Sequence, residues 1–245
     1  MVNGNPLGKR LKEYFKFLKS LMLTNARLIS GMWKLTKLPQ PAITVFGGSR
    51  LSRDSIYAKQ AEQLAEKLAA NGFSIITGGG AGIMEAANYG ALQASKEWGK
   101  VNGEKQLKMT SVGIGLFWLT EGGEKTNKYV QDQIIMYHFF SRKWLLVRYS
   151  VGFAVFPGGF GTLDETFEVI TLIQASRMPH FPIVLLGQEY WQPIIDWAIN
   201  KALKEKLISE EDLRIVSIAR DVDHAFELLC QKCEKKDTEK HLYEE

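Results

Sequence analysis

Cysteine is nearly absent: the 245 residues hold two, Cys230 and Cys233. Two thiols three positions apart late in the chain make no disulfide framework, so a reducing, cytoplasmic setting is expected. Their C-x-x-C spacing falls in a helical pattern without the strand that precedes a redox motif, which reads as two incidental helical cysteines. No apolar run approaches the length of a membrane span. The N-terminus interleaves its apolar residues with lysines and lacks the clean apolar core and cleavage site of a signal peptide. The four histidines, His138, His180, His224 and His241, are widely spaced, and no H-E-x-x-H occurs, so no metal site is expected. No G-x-x-x-x-G-K-[ST] or G-x-G-x-x-G is present either, which removes a P-loop ATPase and a dinucleotide fingerprint.

What is present is glycine in three short clusters, each after an apolar run. Ala42–Phe46 precedes Gly47-Gly48-Ser49-Arg50, Phe73–Thr77 precedes Gly78-Gly79-Gly80-Ala81-Gly82, and Val151–Phe156 precedes Pro157-Gly158-Gly159-Phe160-Gly161-Thr162. Further strands are expected over 111–116, 182–186 and 213–219. Helices are expected from a cap at Ser52 or Asp54 to Asn71, from Ile83 onward, and over about 128–149, 190–204 and 225–233. Residues 95–108 read as a polar loop or insertion. Strands alternating with helices give an α/β fold, a Rossmann-like three-layer α/β/α arrangement with a mostly parallel sheet. Ligands bind at the carboxyl edge of such sheets, where the glycine turns lie. A glycine turn opening a helix offers free N–H groups and the positive end of the helix dipole, which suits a phosphate.

Charge divides the chain. Residues 1–40 contain eight Lys or Arg and one acid, a balance of +7; the whole chain is +4, leaving −3 for the rest. Tyr14, Phe15, Leu18, Leu21 and Met22 supply an apolar face within the basic segment. Residues 1–38 are therefore read as a basic amphipathic helical arm, 39–236 as one Rossmann-like domain whose glycine turns suit a nucleotide, and 237–245 as a charged tail. The arm is expected to pack on its own domain or on a partner subunit, in preference to nucleic acid or a membrane surface.

Individual residues carry two readings. Thr162-x-x-Glu165 has the form of a capping box, with the carboxylate turned back on the helix start. Glu165 at a helix N-terminus would then be ionised and acidic. Its proximity to a phosphate turn also fits chemistry on a phosphorylated sugar. Arg142 and Lys143, placed late in the 128–149 helix, read on their own as a solvated basic turn at a helix C-terminus. Phe117, Trp118, Tyr137 and Phe139 are suited to stack on a base or to fill core.

Taken together, Gly78-Gly79-Gly80, Ser141-Arg142-Lys143 and Pro157-Gly158-Gly159-x-Gly161-Thr162-x-x-Glu165 resemble the LONELY GUY (LOG) family over about residues 40–200. These are cytokinin riboside 5′-monophosphate phosphoribohydrolases, often labelled "lysine decarboxylase-like". Thr77–Asn88, T-G-G-G-x-G-I-M-E-A-A-N, is similar to the broader bacterial branch. The resemblance implies hydrolysis of a nucleoside 5′-monophosphate to free base and ribose 5-phosphate, without a cofactor, in a homodimer or higher oligomer with sites near the subunit interface. Decarboxylation would need a cofactor-binding lysine, for which no setting is seen. By the resemblance Arg142 and Glu165 are catalytic, and Lys143, Gly159, Phe160, Gly161, Thr162 and Thr171 bind substrate. Gly48, Ser49, Gly79 and Gly80 line the same edge. A further binding glutamate of the family falls at Glu124 or Glu121. A carrier that holds a nucleotide or phosphorylated cofactor without cleaving it is the alternative, because molybdenum-cofactor carriers resemble this pattern of turns.

Overall fold

A computed structural model describes residues 6–102, 110–117 and 126–231. The chain opens with helix α1, Pro6–Leu35, and continues β1 (Ala42–Phe46), α2 (Ile56–Ala70), β2 (Ser74–Thr77), α3 (Ile83–Asn102) and β3 (Ser111–Leu116). Then come β4 (Asp132–Met136), α4 (Phe139–Arg148), β5 (Gly152–Val155), α5 (Phe160–Gln174), β6 (Ile183–Leu186), α6 (Gln188–Trp197), β7 (Val216–Ala219) and α7 (Val222–Gln231). A π-helical stretch, Ala198–Leu203, extends α6, and a short 3-10 turn, Asp212–Arg214, precedes β7.

The seven strands form one sheet in the order β4-β3-β2-β1-β5-β6-β7, and every neighbouring pair is parallel. Parallel strands need helical crossovers, which cover both faces and make the central strands apolar throughout. β1, β2, β5 and β6 are accordingly buried at every position. The order reverses at β1, so the ends of β1 and β5 diverge into crossovers of opposite direction. That divergence opens the crevice in which open α/β sheets hold ligands.

Two expectations are corrected. No helix spans 128–149: residues 132–136 form edge strand β4, paired with β3 from Val112↔Asp132 to Leu116↔Met136, and the helix begins at Phe139. The third glycine turn thus follows the fifth strand. The expected loop at 95–108 is helix through Asn102, supported by a Lys100–Glu97 pair at 2.6 Å; residues 103–109 lie outside the described set.

The C-terminal half of α1 caps the outer edge of the sheet. Arg27 donates to the Ile135 carbonyl (2.9 Å), and Lys34 donates to the Gln133 carbonyl (2.9 Å) and pairs with Asp132 (2.6 Å). Unpaired edge carbonyls are thereby satisfied by side chains, which blocks strand addition there. On the other flank α2 and α3 approach closely at Gly90, where an added Cβ would sit 2.1 Å from the Glu62 carbonyl oxygen and 3.0 Å from the Glu66 nitrogen. Gly90→Ala gains helix propensity but forces the two helices apart. It is expected to lower stability by about 1–3 kcal/mol in denaturant unfolding; an unchanged or raised midpoint contradicts the tight contact.

Candidate active site

Three backbone turns meet at the sheet's carboxyl edge. The Gly48 N–H donates to the Pro157 carbonyl (3.0 Å), joining the turns after β1 and β5, and the Ile83 N–H donates to the Gly48 carbonyl (3.2 Å), joining those after β1 and β2. Side chains are excluded from these contacts. A Cβ on Gly82, which has φ +65°, would lie 2.3 Å from the Gly48 oxygen, and one on Gly158 would lie 2.8 Å from the Gly48 nitrogen.

The turn after β5 becomes the start of α5 with Gly159 as N-cap and no capping side chain. The first N–H groups of a helix lack intrahelical acceptors, so those of Phe160, Gly161 and Thr162 face the crevice with the dipole's positive end behind them. Gly159 and Gly161 have no positive φ, and an added Cβ at either meets nothing within 4 Å. Among the described residues nothing requires glycine there, and the space above the helix start is open to them. Tyr190, in the first turn of α6, donates its hydroxyl to the Gly158 carbonyl. In a trans peptide the next N–H points opposite to that carbonyl, so Tyr190 turns the Gly159 N–H away from itself. Phe160 is 91% exposed beside this turn.

Arg142 lies in the first turn of α4, reversing the expectation that it sits near a helix C-terminus. Its Nε donates to the Ile114 carbonyl (2.8 Å) and its Nη1 to Glu165 Oε1 (2.6 Å), while Nη2 fills the place a Cβ of Gly78 would take. The side chains are only 11% and 13% exposed. The capping-box reading of Glu165 is thereby corrected. The helix starts at Phe160, so Glu165 stands more than a turn inside it and reaches Arg142 instead of the N-cap. Its expected acidity is corrected too: burial raises the Glu165 carboxyl above the ordinary glutamate range, and the opposing pull of Arg142 does not cancel it.

Lys143 is held between Glu168 (3.0 Å) and Asp164 (3.2 Å). Burial pulls its pKa down, but the hydrogen bonds to those two carboxylates outweigh it and the net shift is upward, keeping the ammonium charged. Thr162 is buried against Gly158 and accepts the Thr166 hydroxyl on its carbonyl (2.6 Å). Thr171 is exposed, two turns along α5 on the row of Asp164 and Glu168, with its hydroxyl on the Phe167 carbonyl (2.7 Å). Ser49 is in the β1 turn and Gly79 and Gly80 in the β2 turn. Glu124, Glu121 and Trp118 lie outside the described residues. Phe117 and Tyr137 pack on each other at 4.9 Å, whereas Phe139 is exposed.

Asn127 was not singled out by sequence. Its Nδ2 lies within hydrogen-bond distance of the Gly80 carbonyl (2.9 Å), Asn88 Oδ1 (3.0 Å) and the Gly79 carbonyl (3.2 Å), and its N–H also donates to Gly79 (2.9 Å). Thr77 completes the clasp, donating to Asn88 (2.8 Å) and accepting from the Gly79 N–H (3.0 Å). Thr77 and Asn88 bound the T-G-G-G…N signature, which was the available signal; Asn127 stands in no motif. Among the described residues no group of three His, Cys, Asp or Glu could hold a metal ion.

Residues 84–229 match the sequence profile of the family described as "Possible lysine decarboxylase". A probable cytokinin riboside 5′-monophosphate phosphoribohydrolase of Oryza sativa subsp. japonica, LOGL3, is 31% identical over 174 residues, 70% of this chain and 75% of the relative. The chain belongs to the LOG family. Another LOG relative, the cytokinin riboside 5′-monophosphate phosphoribohydrolase of Rhodococcoides fascians, is 26% identical over 190 residues, 76% of this chain and 88% of the relative. The solved molybdenum cofactor binding protein of Rippkaea orientalis has a TM-score of 0.54 at 22% identity, covering 78% of this chain and 96% of that one. At that identity the likeness is one of fold, a Rossmann-like fold shared beyond the LOG family.

A carboxyl whose pKa is higher folded than unfolded stabilises the fold fully below its unfolded pKa, about 4. That contribution is lost as pH rises through the folded value. Relative to wild type, Glu165→Gln should therefore gain stability as pH is raised from acid to neutral, read by unfolding at a series of pH values. A flat difference, or one moving against the variant, contradicts the raised pKa.

Proposed function

We propose that the protein hydrolyses the N-glycosidic bond of a nucleoside 5′-monophosphate, cytokinin riboside 5′-monophosphate or an AMP-like nucleotide, to free base and ribose 5-phosphate. The observation that carries this reading is the Arg142–Glu165 pair, set in one crevice with the uncapped start of α5. The names of the LOG relatives support the reaction class.

Cleavage of the C1′–N bond leaves positive charge on the ribose as the bonding electrons pass to the base. The 5′-phosphate rests on the amides of Gly159–Thr162, and Lys143 adds positive charge nearby. Remote binding energy then fixes the sugar over Glu165. Glu165 in its ionised form offsets the charge on the ribose and orients a water at C1′. Its raised pKa makes it the better acceptor for the proton which that water sheds, and the departing base takes up a proton in balance. The Arg142 guanidinium offers N–H donors and no acceptor. It holds Glu165 in place and places fixed positive charge at the leaving group.

Chromatography of a panel of nucleoside 5′-monophosphates, isopentenyl-AMP included, tests the reading. Base and ribose 5-phosphate should appear, and Glu165→Gln should lower turnover by about a hundredfold or more. Because the ionised carboxylate is the active form and its pKa is raised, turnover should fall on the acid side at a pH above the ordinary glutamate range. That limb should be missing from the residual activity of the variant. Thermal protection by AMP without base release from any nucleotide would make the protein a binder instead.

Gly161→Ala separates the anion cradle from the fold. Its Cβ meets none of the described residues within 4 Å, so the melting temperature should hold or rise while KM for the monophosphate increases at least tenfold. Unchanged KM would move the phosphate away from α5.

A further inference from the structure

The outer side of α1 is lined with exposed apolar side chains. Residues 7–19 are exposed at every position, so among the described residues the first half of the helix projects from the sheet domain. The second half is docked through Thr24, Gly31 and Leu35, all buried, yet on another side it still carries Ile29 at 67% and Trp33 at 66% exposure. Leu7, Leu18 and Ile29 recur every eleven residues, and so do Leu11, Met22 and Trp33. Eleven residues make three helical turns, so these six lie along one side of the helix. Tyr14 and Phe15 fall on the same side and are exposed as well. The apolar stripe spans about 40 Å at 1.5 Å per residue. Its aromatic rings, at about 150–250 Å² each, bring it to the upper range of about 300–600 Å² for the largest patch on an ordinary monomer.

The stripe is complementary to itself when reversed. Set antiparallel about a twofold axis beside Ser20, Leu7 meets Trp33 of the second copy, Leu11 meets Ile29, and Leu18 meets Met22. The bulky Tyr14 and Phe15 then fall opposite Ala26 and Asn25, the small exposed residues that interrupt the stripe. Large side chains against small ones, at mirrored positions, is what an isologous contact demands. Charge agrees. Lys9, Lys12, Lys16 and Lys19 lie off the stripe, and the reversed pairing sets this cationic half against the half where Lys34 is already neutralised by Asp132. Antiparallel helix dipoles also attract.

We propose that α1 is a pairing arm: the projecting half of each arm is covered by the docked half of the arm of a second copy, in an antiparallel contact centred on Ser20. The contact is independent of the catalytic crevice, and its test does not depend on the proposed reaction. Two measurements on the full chain decide it. In a protein with Cys230 and Cys233 replaced by Ser, Leu11→Cys with Ile29→Cys should oxidise to a covalent dimer. The two positions are about 27 Å apart within one helix, beyond the 4.4–6.8 Å Cα separation of a disulfide, so only a second copy can bridge them. Leu11→Cys alone should remain monomeric on a denaturing gel; a strong dimer from that single variant would mean parallel arms and overturn the proposal. By light scattering, Leu18→Glu should halve the mass of the wild-type assembly while its circular dichroism is unchanged. An unchanged mass overturns the proposal. So does wild type floating with phosphatidylglycerol vesicles, but not Leu18→Glu, at equal masses; the stripe would then face a lipid surface.

Discussion

The hydrogen bond from the Gly48 N–H to the Pro157 carbonyl is the constraint on which the site depends. It joins the turns after β1 and β5 where the strand order reverses, and it requires two backbones to touch without side chains between them. With that contact made, the turn after β5 has nowhere to run except into α5, and the start of α5 is left facing the crevice. The turn after β2 is locked to the same point through Gly82 and Ile83. One edge of the sheet thus becomes a continuous backbone surface, with N–H groups as its chemistry.

Around that surface the side chains hold the turns in place. Asn127, Asn88 and Thr77 satisfy polar groups of the second turn, and Tyr190 orients a peptide of the third. Arg142 ties the sheet to α5. Its Nε is fixed on the Ile114 carbonyl of β3, so the sheet itself sets the direction in which the guanidinium meets Glu165. Removing water from that pair raises the carboxyl pKa despite the facing charge, a balance characteristic of groups tuned for chemistry.

Much of this was legible from sequence, because glycine clusters after apolar runs are strong punctuation. Ala42–Phe46 and Ser111–Leu116 were placed to the residue. β4 was not, for a physical reason. Between Tyr129 and Ser150 there is neither glycine nor proline, and the N-cap of α4, His138, makes no side-chain cap hydrogen bond, so nothing local separates strand from helix. The strand exists because β3 offers it a partner, which is a tertiary fact. The Glu165 cap failed in the same way. Thr162-x-x-Glu165 describes a helix with its N-cap at residue 162, whereas the turn after β5 puts the N-cap at Gly159 and so carries the carboxylate round to Arg142.

The glycines of this fold are of two kinds. Gly82, Gly90 and Gly158 sit where another backbone or side chain leaves no room for a methyl group; Gly159 and Gly161 border empty space. Selection for folding alone guards the first set and is blind to the second. Under the proposed function, a descendant that abandoned its nucleotide would keep Gly82, Gly90 and Gly158 while Gly159 and Gly161 drifted, so these two positions would record whether a lineage still uses the crevice.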